Sequence, residues 1–300
     1  MAEISAELSQ KLSEAVEKMP AFPKSVQRIL ELSRDINCSP KELVSVIEKD
    51  PVMTMKLLHN INSAYYSLPK QITSVNQSIV YIGLNTIKNM ALSFAVIGVL
   101  PKQNSAGFDM QRYLMHSLLT ANLARILCQK FNKDGTDPGD CNLAGLLHDF
   151  GKIVFALSLP DEFKKALKYS AENNVPLHVA EKKIIGVDHS FVGAMLVEKW
   201  QFPKNLSDVI LHHHDAEIPS STMHYCLFLA DQISKHPICK QQSLNNSYSD
   251  HSVALPPAIV ERFGANLDEI IVKLGDLSNV IAEAQAFAQT SKQTSKEIQT

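Results

Sequence analysis

Hydrophobic residues recur every three or four positions along most of the chain, and strict apolar–polar alternation is scarce. That pattern predicts helices and no substantial sheet. Leu43, Val46 and Ile47 share one face behind Ser39-Pro40-Lys41-Glu42, which reads as a capping box with proline at the first helical position. Asp50-Pro51 opens another helix, with Leu57, Leu58 and Ile61 on its buried side. Pro23 begins an earlier one through Ile29, Leu30 and Leu32. A helix over 84–100 closes the first half, and the stretch PKQNSAG (101–107) connects it to the second. A long helix over 109–131, a loop over 132–140 and the apolar segment LAGLLHDFGK (143–152) follow. Further helices are expected over 160–173, 176–185, 189–200, 203–214 and 221–236. The polar stretch 241–252 is expected to be mobile, two or three short helices follow it, and the tail 291–300 is expected to be disordered.

The chain therefore reads as all-α. Residues 1–108 form an N-terminal helical module, 109–238 a second helical domain, and 239–300 a polar loop, short helices and tail. The 300 residues suffice for two compact units. A net charge of −2 offers no broad footprint for nucleic acid or for an acidic lipid surface, so neither is expected as a partner. The N-terminus is polar and lacks a hydrophobic signal core. The longest apolar run, 90–100, has 11 residues where a membrane span needs about 20, so it reads as a core helix. Five cysteines without a C-x-x-C spacing suit reduced thiols and a cytoplasmic protein.

The chemistry lies in the second half. Six of the eleven histidines, with two aspartates, form an ordered series: His116, then His148-Asp149, His189, the run His212-His213-His214, then Asp231. On a helix, His148 and Asp149 approach a centre from one edge, and Lys152 falls on the same side. Gly193 after His189 lets another helix pack closely. Asp231 stands among Leu227, Leu229, Ala230 and Ile233, where a buried carboxylate needs a partner and a cation is one solution. Imidazole with carboxylate is a ligand set for a divalent ion such as Mn, Fe, Zn, Co or Ni. Two such ions suit in-line attack of an activated water on phosphorus, with Lys152 neutralising phosphate charge. Taken singly, each residue has a plainer role: His116 as a satisfied core histidine, the histidine run as a solvated helix end, Asp231 as half of an ion pair. The ordered set is more specific than any member.

That order resembles the HD superfamily of all-α metal-dependent phosphohydrolases. Over about Met19 to Lys235 the chain resembles more closely the HDOD family, the HD-related output domain of bacterial signalling proteins. The words that carry this are MPAFPKSVQRILELSRD, ELVSVIEKDPVMTMKLLHNINSAYY and ITSVNQSIVYIGLNTIKNMALS, then AGLLHDFGK, EKKIIGVDHSFVGAMLVEKWQFP and the histidine run. The resemblance implies an N-terminal module packed on an HD-like domain that binds one or two divalent metal ions. It places His148 and Asp149 on the HD doublet, Lys152 on its downstream lysine, and His116, His189, His213, His214 and Asp231 on the remaining metal positions, with His212 as the extra. Asp149 and Lys152 are then the candidate catalytic pair. Asp50, Asn62, Tyr65 and Tyr66 are candidates for an interface between the halves or with a signalling partner; a plain helix end and loop explains the same residues. The implied function is a signalling output or adaptor protein with a divalent-metal site. The alternative is a metal-dependent phosphohydrolase acting on a nucleotide or phosphate ester. DAEIPSS follows the histidines where the cyclic-di-GMP hydrolysing branch carries Gly-Tyr-Pro, so that activity is not expected.

Overall fold

The computed structural model describes residues 5–21, 24–34, 39–63, 66, 68–101, 103–215, 221–240 and 255–297. Among these, every regular element is a helix. The chain opens with α1 (Ala6–Lys18), followed by α2 (Lys24–Arg34), α3 (Pro40–Glu48), α4 (Pro51–Ile61), α5 (Val75–Ile82) and α6 (Leu84–Gly98). Then come α7 (Met110–Phe131), α8 (Pro138–Leu147), α9 (Gly151–Ser158), α10 (Pro160–Asn173), α11 (Leu177–Ile184), α12 (His189–Lys199), α13 (Lys204–Leu211) and α14 (Thr222–Lys235). The last are α15 (Pro237–Lys240), α16 (Pro257–Phe263), α17 (Leu267–Leu274) and α18 (Ser278–Glu297).

These helices form two compact units: residues 1–20 with 101–277, and residues 21–100 with 278–300. The terminal helices thus cross the boundaries that the sequence pattern suggests. α1 belongs with the second-half helices, because Lys199 donates to the carbonyls of Val16 (2.9 Å) and Glu17 (2.7 Å) and Trp200 Nε1 donates to Pro20 O (3.1 Å). The C-terminal carbonyls of a helix lack internal partners, so these donors close α1. α18 belongs with the N-terminal helices, where Phe287 stacks on Phe94 with ring centroids 4.9 Å apart. The expected disordered tail is therefore helical as far as Glu297. Its small residues Ala284 and Ala288 are buried, which lets a mostly polar helix pack on one face.

In the N-terminal unit, Asp50 caps α4 by accepting from Met53 N at 3.0 Å, with Pro51 at the first turn. Ser39 caps α3, but it accepts from Lys41 N rather than from Glu42 N, and Glu42 N bonds instead to the Ser39 carbonyl. Leu57, Ile61, Ile87, Met90 and Phe94 make its core. The 90–97 run is buried throughout, as a core helix requires. Among the described residues no single helix is long and apolar enough to cross a membrane.

In the other unit α7, α8 and α14 pack side by side, and α9 packs on α12. Gly145 allows the first approach: a Cβ there would meet Ala121 Cα at 2.6 Å. Cys128, Cys141 and Cys226 are buried free thiols from these three helices. They fill core space as small hydrophobes. Pro23, Cys38 and the 241–252 stretch lie outside the described residues.

Candidate metal centre

His148 and Asp149 do not stand on a continuous helix. α8 ends at Leu147, residues 148–150 form a turn, and α9 begins at Gly151. Gly151 sets the depth of that turn, since a Cβ on it would lie 2.0 Å from the carbonyl oxygen of His189. The tight approach is here rather than at Gly193, whose added Cβ would meet its nearest atoms at 3.4 Å. The doublet is thereby pressed against the first turn of α12, where Asp188 caps the helix and His189 is its first residue. His116 comes from the middle of α7, Asp231 from α14, and His213 and His214 from the turn after α13.

All seven expected ligand residues converge. Nε2 of His116 lies 3.2 Å from Nε2 of His148, 3.3 Å from Asp149 Oδ2 and 3.3 Å from Asp231 Oδ1. His148 Nε2 lies 3.4 Å from Asp149 Oδ2 and 3.6 Å from Asp231 Oδ1. On the other side, Asp149 Oδ1 lies 3.0 Å from His189 Nε2 and 3.8 Å from His213 Nε2, and His214 Nε2 lies 3.0 Å from His189 Nε2. The donors therefore sort into two sets that share Asp149, one carboxylate oxygen for each. His212 stays outside, its ring nitrogen bonded to Asp215 at 3.1 Å.

The ring orientations are fixed from behind. Nδ1 of His148 bonds to Gly145 O (2.8 Å) and Nδ1 of His213 to Ile210 O (2.7 Å). A carbonyl oxygen only accepts, so Nδ1 carries a proton in both and Nε2 is the atom turned to the centre. His189 donates Nδ1–H to Glu181 Oε2 at 2.5 Å, and Glu181 is fully buried. Ser234 Oγ donates to Asp231 O, which leaves it to accept from His116 Nδ1 at 3.2 Å. With Nδ1 engaged from behind, four imidazole Nε2 atoms face two buried carboxylates. His213 Nε2 is buried without any hydrogen-bond partner. Protons or a cation must fill such a convergence, and this donor set, with its rings held from behind by hydrogen bonds, fits a first-row divalent ion.

The electrostatics agree. Burial alone would raise the Asp149 carboxyl, but His148 and Lys152 beside it hold it well below the usual carboxylate range. Burial is likewise outweighed at Asp231 by Lys235 and His116. His189 is pushed up to about 9: burial opposes this, and Glu181 overcomes it. Burial, together with neighbouring histidines, holds His213 and His214 well below the usual histidine value.

Lys152 donates to Asp149 Oδ2 at 2.6 Å, on the side that the sequence pattern indicates. Four contributors were not singled out from the sequence. Glu181 orients His189. His178 stacks on His214 with centroids 4.0 Å apart. Ser234 supports His116, and Lys235 Nζ lies 2.6 Å from Asp231 Oδ2. Lys235 alone had a readable signal, standing four residues after Asp231.

The interface candidates have local partners inside the N-terminal unit. Asp50 accepts from Ser25 Oγ (2.7 Å) besides capping α4. Asn62 bonds twice to Ile72, through Nδ2 to its carbonyl and through Oδ1 from its N–H, both 2.8 Å. Tyr66 reaches Met90 Sδ at 3.9 Å. Tyr65 lies outside the described residues.

Residues 19–216 match the HDOD domain. The chain belongs to the HDOD family. It is 24% identical over 208 residues to an uncharacterized protein of Treponema pallidum, covering 69% of this chain and 40% of the relative. The chain thus spans well under two thirds of that relative. Among solved structures it resembles an HDOD domain protein of unknown function from Geobacter sulfurreducens, at TM-score 0.77 and 22% identity over 95% of this chain and 97% of the other. A Shewanella amazonensis protein named as a candidate phosphohydrolase matches at TM-score 0.71 and 20% identity, over 94% and 98% of the two chains. At these identities the likeness concerns the fold, and it makes the all-α HDOD architecture common to all three.

Proposed function

We propose that the cluster is a dinuclear divalent-metal centre that hydrolyses a phosphate ester, carried by a bacterial signalling protein. The observation that supports this best is the division of Asp149, whose Oδ2 faces His116 and His148 while Oδ1 faces His189 and His213. His116, His148, Asp149 and Asp231 would hold one ion, and Asp149, His189, His213 and His214 the other. When bound, such a pair supplies Lewis acidity toward a phosphoryl oxygen and activates a water. Glu181 keeps the His189 ring in the tautomer that offers Nε2. Lys152 balances the Asp149 charge and offers an ammonium to an incoming phosphate.

A second reading, the output or adaptor module, draws on the N-terminal unit. Helix α5 leaves Val80 83% and Tyr81 50% exposed, side by side, as a partner-binding surface would. In that reading the metal centre holds the fold or a ligand, and Asp50, Asn62, Tyr65 and Tyr66 stay candidates for contact with the partner.

Elemental analysis of the purified protein, with a screen of phosphomonoesters and nucleotides in added Mn, separates the two. Asp149→Ala is expected to abolish hydrolysis, and Lys152→Ala to keep the metal and lower the rate. Unchanged rates in metal-free protein would remove the metal mechanism. Metal-loaded protein that hydrolyses nothing on the panel would leave the output module.

A further inference from the structure

Two lysines close the cluster from different helices. Lys152 on α9 and Lys235 on α14 each place Nζ 2.6 Å from an Oδ2, of Asp149 and Asp231 respectively. Their side chains are 15% and 16% exposed, whereas both carboxylates are 3% exposed. The lysines are thus the more exposed members of both ion pairs. Asp231 is also divided: Oδ1 faces His116 and His148, and Oδ2 faces Lys235.

The charge balance of the whole cluster selects a ligand, and this step rests on the dinuclear reading above. Asp149, Asp231 and Glu181 supply three carboxylates against the two ammoniums. Two divalent cations would then leave three positive charges in a largely buried site. Uncompensated buried charge is costly, so the site favours a ligand set that neutralises it. A hydroxide nucleophile with a phosphomonoester dianion supplies three negative charges, and a phosphodiester supplies one fewer.

We propose that Lys235 is a second phosphate-binding cation besides Lys152, and that the site takes phosphomonoester dianions in preference to phosphodiesters. Lys235 leaves the Asp231 oxygen for the phosphate when the ligand enters. A substitution that removes its charge weakens the ligand without emptying the donors.

The test uses the full chain loaded with Mn and titrated with inorganic phosphate by calorimetry, in wild type, Lys235→Gln and Lys235→Arg, with metal content measured on each sample. Lys235→Gln is expected to bind phosphate about tenfold more weakly at unchanged metal content, and Lys235→Arg to bind it nearly as wild type does. Wild type is also expected to hydrolyse p-nitrophenyl phosphate faster than bis-p-nitrophenyl phosphate, and Lys235→Gln to narrow that ratio. Equal phosphate affinity in wild type and Lys235→Gln, at equal metal content, would overturn the role of Lys235 while leaving the metal centre standing. A faster reaction with the diester would overturn the substrate class. Uptake of no metal by wild type would sink the dinuclear reading itself, and this proposal with it. A variant whose metal content falls together with phosphate binding would show Lys235 to be a positioning group for Asp231, which also overturns the proposal.

Discussion

Asp149 reaches His189 through Oδ1 across 3.0 Å, leaving its other oxygen 3.3 Å from His116. One carboxylate therefore serves two donor sets, and the sets should fail separately. His214→Ala touches only the second and is expected to lower bound metal from two ions per chain to about one. Asp149→Asn leaves a single acceptor oxygen and is expected to lower both. Mass-spectrometric metal analysis after exhaustive dialysis reads this directly. If His214→Ala empties the protein, the two sets are one site.

Glu181 and His189 make the most buried polar pair of the centre, 0% and 1% exposed at the side chain. Glu181→Gln removes the charge behind His189 and keeps the shape. Loss of such a partner typically weakens metal affinity by about 10–100-fold. Competition with a coloured chelator is expected to show that loss, and metal-free protein is expected to melt lower as well, because the Glu181 charge is what raises His189. Unchanged affinity would reduce Glu181 to a helix-joining residue.

Gly151 is the backbone hinge of the site. An alanine there puts Cβ 2.0 Å from the His189 carbonyl oxygen, so α9 and α12 must separate. Gly151→Ala is expected to cost more than about 2 kcal/mol in denaturant unfolding and to lose metal. Gly193→Ala, with its nearest contacts at 3.4 Å, is the milder comparison. Equal stability of the two variants would contradict the packing argument.

What the sequence reveals here follows from what is local. Helix starts such as Asp50-Pro51 and Asp188-His189 are written in caps, and the structure uses both. The candidate ligand set was legible because seven histidines and aspartates occur in a recognisable order, although only folding brings His116 and Asp231 together. Three features depend on distant surfaces and leave no local trace. The break at 148–150 is forced by the carbonyl of His189, 38 residues beyond Gly151. The stretch from 291 reads as a polar tail, yet to Glu297 it continues α18, whose Ala284, Phe287 and Ala288 make a narrow apolar face against the N-terminal helices. Glu181 looks like any helix-surface glutamate until His189 covers it.

Protons and metal compete for the same nitrogens, so the two forms of the protein should answer pH with opposite slopes. In metal-free protein His189 is raised to about 9, held protonated between Glu181 and Asp149. A group whose folded value lies above its unfolded one, about 6.5, stabilises fully below 6.5. That contribution is lost as pH rises through about 9, and for a buried residue it is on the order of 3 kcal/mol. The melting temperature of chelator-treated protein is therefore expected to fall between pH 6.5 and 9. Metal-loaded protein should do the reverse. Donors from α7, the 148–150 turn, α12, the turn after α13 and α14 cannot meet in the unfolded chain, so binding favours the native state, by about 2.7 kcal/mol at a free metal concentration 100 times Kd. Because His189 must give up its proton to offer Nε2, that gain should grow with pH and be accompanied by proton release in weakly buffered titration. Thermal melts at three pH values, with and without Mn or Zn, test both slopes at once. His189→Gln should flatten the metal-free slope. If both forms melt in parallel across this range, Nε2 of His189 faces no metal, and the converging lone pairs are held by protons alone.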